Sequence, residues 1–289
     1  MTKFSVLLPV YFGDSPDHLA ACLSSLEAQT WPASEILIVK DGSLVEALER
    51  VIQFYSARLP IRTLQLPDNK GLGPALRAGV ENCQFNIIAR MDADDICVLD
   101  RFELEVGFLE MHPEVDVLSG TIREFDSDPA IWVSERRLPS EHAAIVAFGK
   151  RRNPINHMAV VFRKSAVIAA GNYRSRPGFE DYELWVRMLM NGSRFHNLDA
   201  VCTLARCGNG MHRRRGGWRY ILFEVSLFWY FRSLGFLNAR EALRNIALRV
   251  PVRLVPAGLR SLVYRFFVRR RATVATLDSS RHTPQRTTR

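Results

Sequence analysis

Short apolar runs alternate, over the first 120 positions, with longer segments in which apolar residues recur every three or four places. The runs Phe4 to Val10, Ile36 to Val39, Ile61 to Leu66, Phe85 to Ala89 and Val115 to Ser119 predict strands. Between them, Asp17 to Gln29, Leu44 to Ala57 and Gly73 to Glu81 carry the helical period. Pro74 suits the first turn of the third helix, where its missing N–H has no partner to lose. Strands and helices in alternation predict an α/β fold, a mostly parallel, Rossmann-like sheet with helices on both faces.

Beyond Gly120 the pattern loosens. A helix is expected near Ser140 to Phe148, a strand over Met158 to Phe162, and a helix from about Glu180 through Leu189. This half is expected to build a second, smaller sheet region over the first. From Trp218 to Arg271 aromatic residues and arginines dominate. Ile221 to Phe231 is apolar apart from Glu224 and Ser226, but it falls short of the ~20 residues a bilayer span needs. Ala242 to Val268 mixes aliphatic residues with spaced arginines and is broken by Pro251 and Pro256. Two readings follow: an amphipathic region lying in a membrane interface with arginines toward lipid phosphates, or helices packed on the main domain with a solvated basic face. The expected division is 1–215 for the main domain, with halves of about 1–120 and 121–215, then 216–271 for the basic helical region. Residues 272–289 are expected to be a disordered basic tail.

Charge sharpens this division. The net charge of +9 arises from +15 in residues 204–289, where 18 Arg face Glu224, Glu241 and Asp278, against −6 in residues 1–203. By charge alone such a tail could meet nucleic acid, an anionic membrane surface or acidic substrates; its aromatic companions suit a membrane interface, the expected partner, although aromatics and arginines can also stack on bases. The odd count of five cysteines, Cys22, Cys83, Cys97, Cys202 and Cys207, far apart and with no Cys-X-X-Cys pair, suggests neither a disulfide framework nor a zinc ribbon and fits a reducing cytosolic setting. The N-terminal apolar stretch is short, contains Pro9 and lacks a cleavage pattern, so it reads as a core strand rather than a signal peptide.

Candidate chemistry begins at Arg90-Met91-Asp92-Ala93-Asp94-Asp95. Side chains at i and i+2 share a face of a strand, so at a sheet edge Asp92 and Asp94 could reach one point. Mg²⁺ and Mn²⁺ take one or two protein carboxylates and leave other positions to water and phosphates. Locally, the alternative is that Asp94 or Asp95 caps a helix beginning near Cys97.

Further motifs follow in order: Leu7-Leu8-Pro9-Val10-Tyr11, Gln29-Thr30-Trp31-Pro32, Val39-Lys40-Asp41-Gly42-Ser43, Asn69-Lys70-Gly71-Leu72-Gly73, the aspartate turn, and Phe179-Glu180-Asp181-Tyr182-Glu183-Leu184-Trp185. This ordered set, over about residues 3 to 215, resembles the family 2 glycosyltransferases of the GT-A fold. Ala89 to Asp95, Arg152-Asn153-Pro154-Ile155-Asn156-His157 and Glu180 to Trp185 resemble the amylovoran-type exopolysaccharide branch most.

The resemblance implies a nucleotide-sugar donor, UDP-linked by expectation, bound at the C-terminal ends of the parallel strands. Pro9 and Tyr11 would line the nucleoside pocket. Asp41 would accept from the base, or serve as a turn residue before Gly42, and Gly71 would let backbone approach the nucleotide. Asp92 would face ribose and metal, Asp94 would be the principal ligand of Mn²⁺ or Mg²⁺, and Asp95 a cap or outer acceptor. Asp181 would take the acceptor proton, with Glu180 orienting or sharing that role. Direct displacement would invert the anomeric carbon. His157 would line the acceptor or diphosphate side, or be a core histidine. Arg213 and Arg214 would contact a diphosphate or begin the basic surface, and His212 is not assigned as a ligand. The expected enzyme moves sugar to a lipid-linked glycan at the cytoplasmic membrane face. Its rivals are a nucleotidyltransferase, which would release pyrophosphate, and an inactive membrane-bound partner in polysaccharide assembly.

Overall fold

A computed structural model describes residues 1–207 and 218–254. His212, Arg213, Arg214 and the 272–289 tail lie outside the described residues, as do parts of the basic helical region.

Among the described residues nine strands form one sheet in the order β3-β2-β1-β4-β8-β6-β9-β5, and β7 lies off this path, pairing the last part of β6. The first four are β1 (Phe4–Tyr11), β2 (Glu35–Asp41), β3 (Ile61–Gln65) and β4 (Ile87–Arg90), all mutually parallel as expected. Helices α1 (Pro16–Glu27), α2 (Glu46–Ser56) and α3 (Leu72–Asn82) make the crossovers. In α1, Ser15 caps the first turn by accepting the His18 N–H, Pro16 follows, and Leu19, Cys22, Leu23 and Leu26 form the buried stripe. Along β1, Phe4, Val6, Leu8 and Val10 enter the core under α1, α2 and α4 (Arg101–Met111), while Leu7 enters the opposite core with α3 and Trp185. Period-2 alternation with both faces buried is what a covered parallel sheet requires.

The second half departs from expectation. No separate sheet lies over the first, because β6 (Val117–Phe125), β8 (Val160–Arg163) and β9 (Phe195–Arg206) extend the same sheet. β8 is antiparallel to both β4 and β6, and β9 runs parallel to β6 but antiparallel to β5 (Ile96–Cys97), so only the first four strands are all parallel. β7 (Trp132–Arg136) forms a hairpin with β6. Helices α5 (His142–Gly149), α6 (Lys164–Ala169) and α7 (Glu180–Met190) complete this half. The helix foreseen near Cys97 starts instead at Arg101, since Ile96 and Cys97 pair with Leu204 and Thr203 of β9. Neither Asp94 nor Asp95 caps it.

Two long helices follow, α8 (Trp218–Ser233) and α9 (Ala239–Leu254). One face of the pair packs on α7: Leu227, Phe228, Phe231, Phe236 and Leu237 join Phe179, Tyr182 and Val186 in a third apolar cluster. Packing on the main domain and a free outer face are therefore combined in this region. Among the described residues no helix is long and apolar enough to cross a membrane.

Candidate functional site

β1 and β2 end in register, Tyr11 beside Asp41, and β4 delivers its chain across the end of β1, where the Met91 N–H bonds the Leu7 carbonyl at 3.0 Å. Three loops thus meet above the C-terminal edge of the parallel strands. They wall a cleft of ≈ 1400 Å³ whose lining includes Pro9, Tyr11, Asp41, Gly71, Asp92, Asp94, His157, Glu180 and Asp181. Every predicted site residue within the described residues reaches this one cavity.

The aspartates arrive there by a different route from strand alternation. β4 stops at Arg90, and residues 91–95 form a turn closed by the Asp95 N–H on the Asp92 carbonyl at 3.3 Å. The turn sends the Asp92 carboxylate back onto the buried Arg90 guanidinium in a two-pronged pair. Each Asp92 oxygen keeps lone-pair capacity beyond that bond. Asp95 is buried and accepts the Arg206 N–H at 2.8 Å. Asp94 is left facing the cleft, its backbone carbonyl accepting from the Arg206 Nε at 3.2 Å.

Asp14, not foreseen from sequence, belongs to the same cluster. Its carboxylate accepts the Tyr11 N–H at 3.0 Å, and burial, with the charges of Asp94 and Asp92, pushes it up to about 7. Burial and then Asp92 raise Asp94 as well, and Asp95 is driven far upward by burial and both neighbouring carboxylates. Carboxylates that hold one another's pKa up are a donor set that a cation would relieve. Among the described residues no group of three His, Cys, Asp or Glu could by itself hold a metal ion. A divalent ion completed by phosphate oxygens needs only one or two carboxylates, and that requirement fits.

Asp41 is buried, and its two oxygens accept the Lys70 and Gly71 N–H groups at 2.8 and 2.9 Å. It therefore shapes the Asn69–Gly73 loop as well as lining the cleft. Gly71 has φ +88°, open to glycine and strained for other residues. At Gly73 a Cβ would lie 2.8 Å from the Arg174 carbonyl and 3.1 Å from Glu180 Cγ, so glycine lets the start of α3 meet the start of α7.

Glu180 and Asp181 occupy the first turn of α7, where the positive end of the helix favours carboxylates. Asp181 Oδ2 accepts from Asn153 Nδ2 at 2.5 Å, a partner the sequence reading passed over although it stood in a quoted motif. Burial, reinforced by Asp181, pushes Glu180 up to about 7, against its own and neighbouring N–H groups. A carboxyl whose folded pKa exceeds its ordinary 4.5 stabilises the fold fully below about 4.5 and loses that contribution as pH rises through about 7. Glu180→Gln is therefore expected to gain stability relative to the parent as pH rises from 5 to 8, read by urea unfolding at both ends. Parallel profiles would show that Glu180 is not held protonated.

His157 bonds Tyr173 Oη through Nε2 at 3.0 Å, and burial with the Arg90 charge keeps its imidazole neutral. It is both a hydrogen-bonded core histidine and part of the cleft wall. Arg136 from β7 and Tyr220, Phe223 and Arg249 from the C-terminal helices also line the cleft, contributions with no local sequence signal.

Comparison with known proteins bears on the family and the fold. The profile of the family described as glycosyl transferase family 2 matches residues 5–167. The amylovoran biosynthesis glycosyltransferase AmsE of Erwinia amylovora is 39% identical over 261 residues, covering 90% of this chain and 97% of its own. A UDP-Gal:alpha-D-GlcNAc-diphosphoundecaprenol beta-1,3-galactosyltransferase of Escherichia coli is 33% identical over 268 residues, 93% of this chain and 97% of its own. Among solved structures, residues 1–349 of S. aureus TarS in complex with UDP-GlcNAc superpose with TM-score 0.62 at 17% identity, over 79% of this chain and 66% of that one. A Pyrobaculum calidifontis mannosyltransferase in complex with GDP-Man and Mn²⁺ gives 0.58 at 15%, over 91% and 79%. These structural likenesses establish the shared GT-A fold.

Proposed function

The chain belongs to glycosyl transferase family 2 and is a glycosyltransferase, and from its cleft we propose that it is a metal-dependent, inverting enzyme that moves sugar from a UDP-sugar to a lipid-linked glycan. One observation carries the reading: the Asp92–Asp94 turn and the Glu180–Asp181 pair, 87 residues apart between Asp94 and Asp181, face one cavity at the strand ends. Family membership supports the reaction class, and the names of the relatives support the substrate classes.

Tyr11 and Pro9 would flank the nucleoside, and Asp41 would accept from the base while holding the Lys70–Gly71 backbone in place. Asp94, with Asp92 beside it, would hold Mn²⁺ or Mg²⁺ against the donor. Such an ion, when bound, offsets the charge that develops on the departing diphosphate. Asp181, held by Asn153, would accept the acceptor hydroxyl's proton as the hydroxyl oxygen attacks the anomeric carbon. Attack opposite the leaving group inverts the centre without a covalent enzyme intermediate. Incubating purified protein and Mn²⁺ with a panel of nucleotide sugars and acceptors should release nucleoside diphosphate and give product of inverted anomeric configuration by NMR. Release of pyrophosphate from a nucleoside triphosphate would sink the assignment.

The place of work would be the cytoplasmic face of the membrane, held by the C-terminal helices. Trp218, Leu222 and Trp229 fall on one side of α8 and are exposed, although the other side of that helix is buried on α7. A helix apolar on both sides suits an interface with a second apolar phase. Arg232 stands 5.5 Å over the Trp229 ring, a pairing suited to headgroup depth. Changing all three to Ser should weaken binding to phosphatidylglycerol liposomes by at least about tenfold, since each large side chain buried is worth ~1.5–3 kcal/mol. Undiminished flotation of the triple variant would exclude this face.

A further inference from the structure

Charges within the cleft fall in two groups. Asp14, Asp92 and Asp94 gather where β1 and β4 end, with Arg90 bound to Asp92 and Arg206 to the backbone of Asp94, whereas Arg136 and Arg249 are tied to the segment Arg151–Asn153 beside Asp181. Arg136 Nη2 donates to the Asn153 carbonyl at 3.1 Å, and Arg249 Nη2 donates to the Arg151 carbonyl at 2.5 Å. The two carbonyls are two residues apart, a reach of at most about 7 Å. Asn153 itself donates to Asp181. Two guanidinium groups and the proposed proton acceptor are thus gathered around three consecutive residues.

Arg249 is held from several sides. Its Nη1 donates to Glu224 at 2.5 Å, Glu224 is buried in α8, and the guanidinium lies 5.2 Å over the Phe228 ring. Buried ion pairs commonly stabilise a fold less than apolar residues of the same size, so this one is better explained by what it positions. Only two of the five Arg249 N–H donors have partners among the described residues, and the side chain remains partly exposed in the cleft.

A carboxylate wall can hold a diphosphate only through a cation, whereas guanidinium forks bind phosphate oxygens directly. One cleft with both kinds of wall is built for two anionic ligands held by different means. We propose that Arg136 and Arg249 form a subsite for the diphosphate of the acceptor, setting the hydroxyl of its first sugar against Asp181. Tyr220 and Phe223 of α8, which line the same cleft, receive the start of the lipid chain. This inference rests on the lipid-linked acceptor proposed above.

The test is calorimetric binding of undecyl diphosphate to the full chain in EDTA, with inorganic pyrophosphate as the comparison. Undecyl diphosphate is expected to bind without a cation and at least tenfold more tightly than pyrophosphate. Arg136→Ala should weaken it at least tenfold. Because Arg249→Ala alone would take an ion-pair partner from the buried Glu224, the second variant is Arg249→Met with Glu224→Leu, which should weaken binding similarly while the urea midpoint shows it folded. Binding that requires Mn²⁺, equals that of pyrophosphate, or survives both variants would overturn the subsite. The readout involves no sugar transfer, so loss of the subsite and failure of every nucleotide sugar in the turnover screen are separate results.

Discussion

Replacing Asp94 with Ala is expected to lower kcat/KM for sugar transfer by about a thousandfold or more while leaving the protein as stable as the parent. The first half follows from chemistry: a cation that offsets charge on a leaving diphosphate is worth several kcal/mol, and each 1.36 kcal/mol is a factor of ten in rate. The second half follows from contacts. Among the described residues no other side chain bonds the Asp94 carboxylate, and its carbonyl would still receive the Arg206 Nε after substitution. Removing it also relieves the charge that helps to raise Asp14 and Asp95. Asp92→Ala is the informative contrast, because it strips the buried Arg90 of its counter-charge and should cost stability as well as activity. Rates measured across a Mn²⁺ titration, with urea midpoints for both variants, check the pair of expectations. Full activity in Asp94→Ala at every Mn²⁺ concentration would remove the proposed ion site.

The first half of the fold was legible because its signals are local. Apolar alternation in β1 and β2, the cap and proline that start α1, and the glycines before α3 each act within a few residues of themselves. The second half depends on partners far along the chain. Whether β8 runs with β4 or against it is set by where α5 and the turn before His157 leave the backbone, and no periodicity encodes that. Ile96 and Cys97 read as a helix start because two residues carry no strand period; only β9 makes them a strand.

At the site the same division holds. Asp92, Asp94, Glu180 and Asp181 sit in ordered motifs, so a resemblance could find them. Asp14 sits between Gly13 and Ser15, where an aspartate reads as an ordinary turn residue, and its distinction comes from burial first and then from two carboxylates nearly 80 residues later. Arg249 reads as one arginine among 18 in the basic region; only the packing of α9 on α8 brings it into the cleft. The pairing of Arg90 with Asp92 also lies outside motif reading, since it requires the chain to leave the strand at Met91 and turn back.

Asp181→Asn should lower kcat by about 10²–10⁴, the usual contribution of a positioned proton acceptor, with KM for the nucleotide sugar within about twofold of the parent. The exchange keeps shape and removes basicity, so α7 should stay in place on its Trp185 and Leu184 anchors. Asn153 donates to one Asp181 oxygen at 2.5 Å, and a carboxylate fixed in place has a defined direction in which to receive a proton. Glu180 supplies the control. With its carboxyl raised to about 7 by burial and by Asp181, it is a base of useful strength only at and above neutral pH. Any residual turnover in Asp181→Asn that passes through Glu180 should therefore rise with pH and disappear in the double variant with Glu180→Gln. That pH limb should sit lower than about 7, because the variant removes the Asp181 charge that helps to raise Glu180. Residual activity that is flat from pH 5 to 8 would mean that Glu180 does not take the proton in the variant, and parental kcat in Asp181→Asn would take Asp181 out of the reaction.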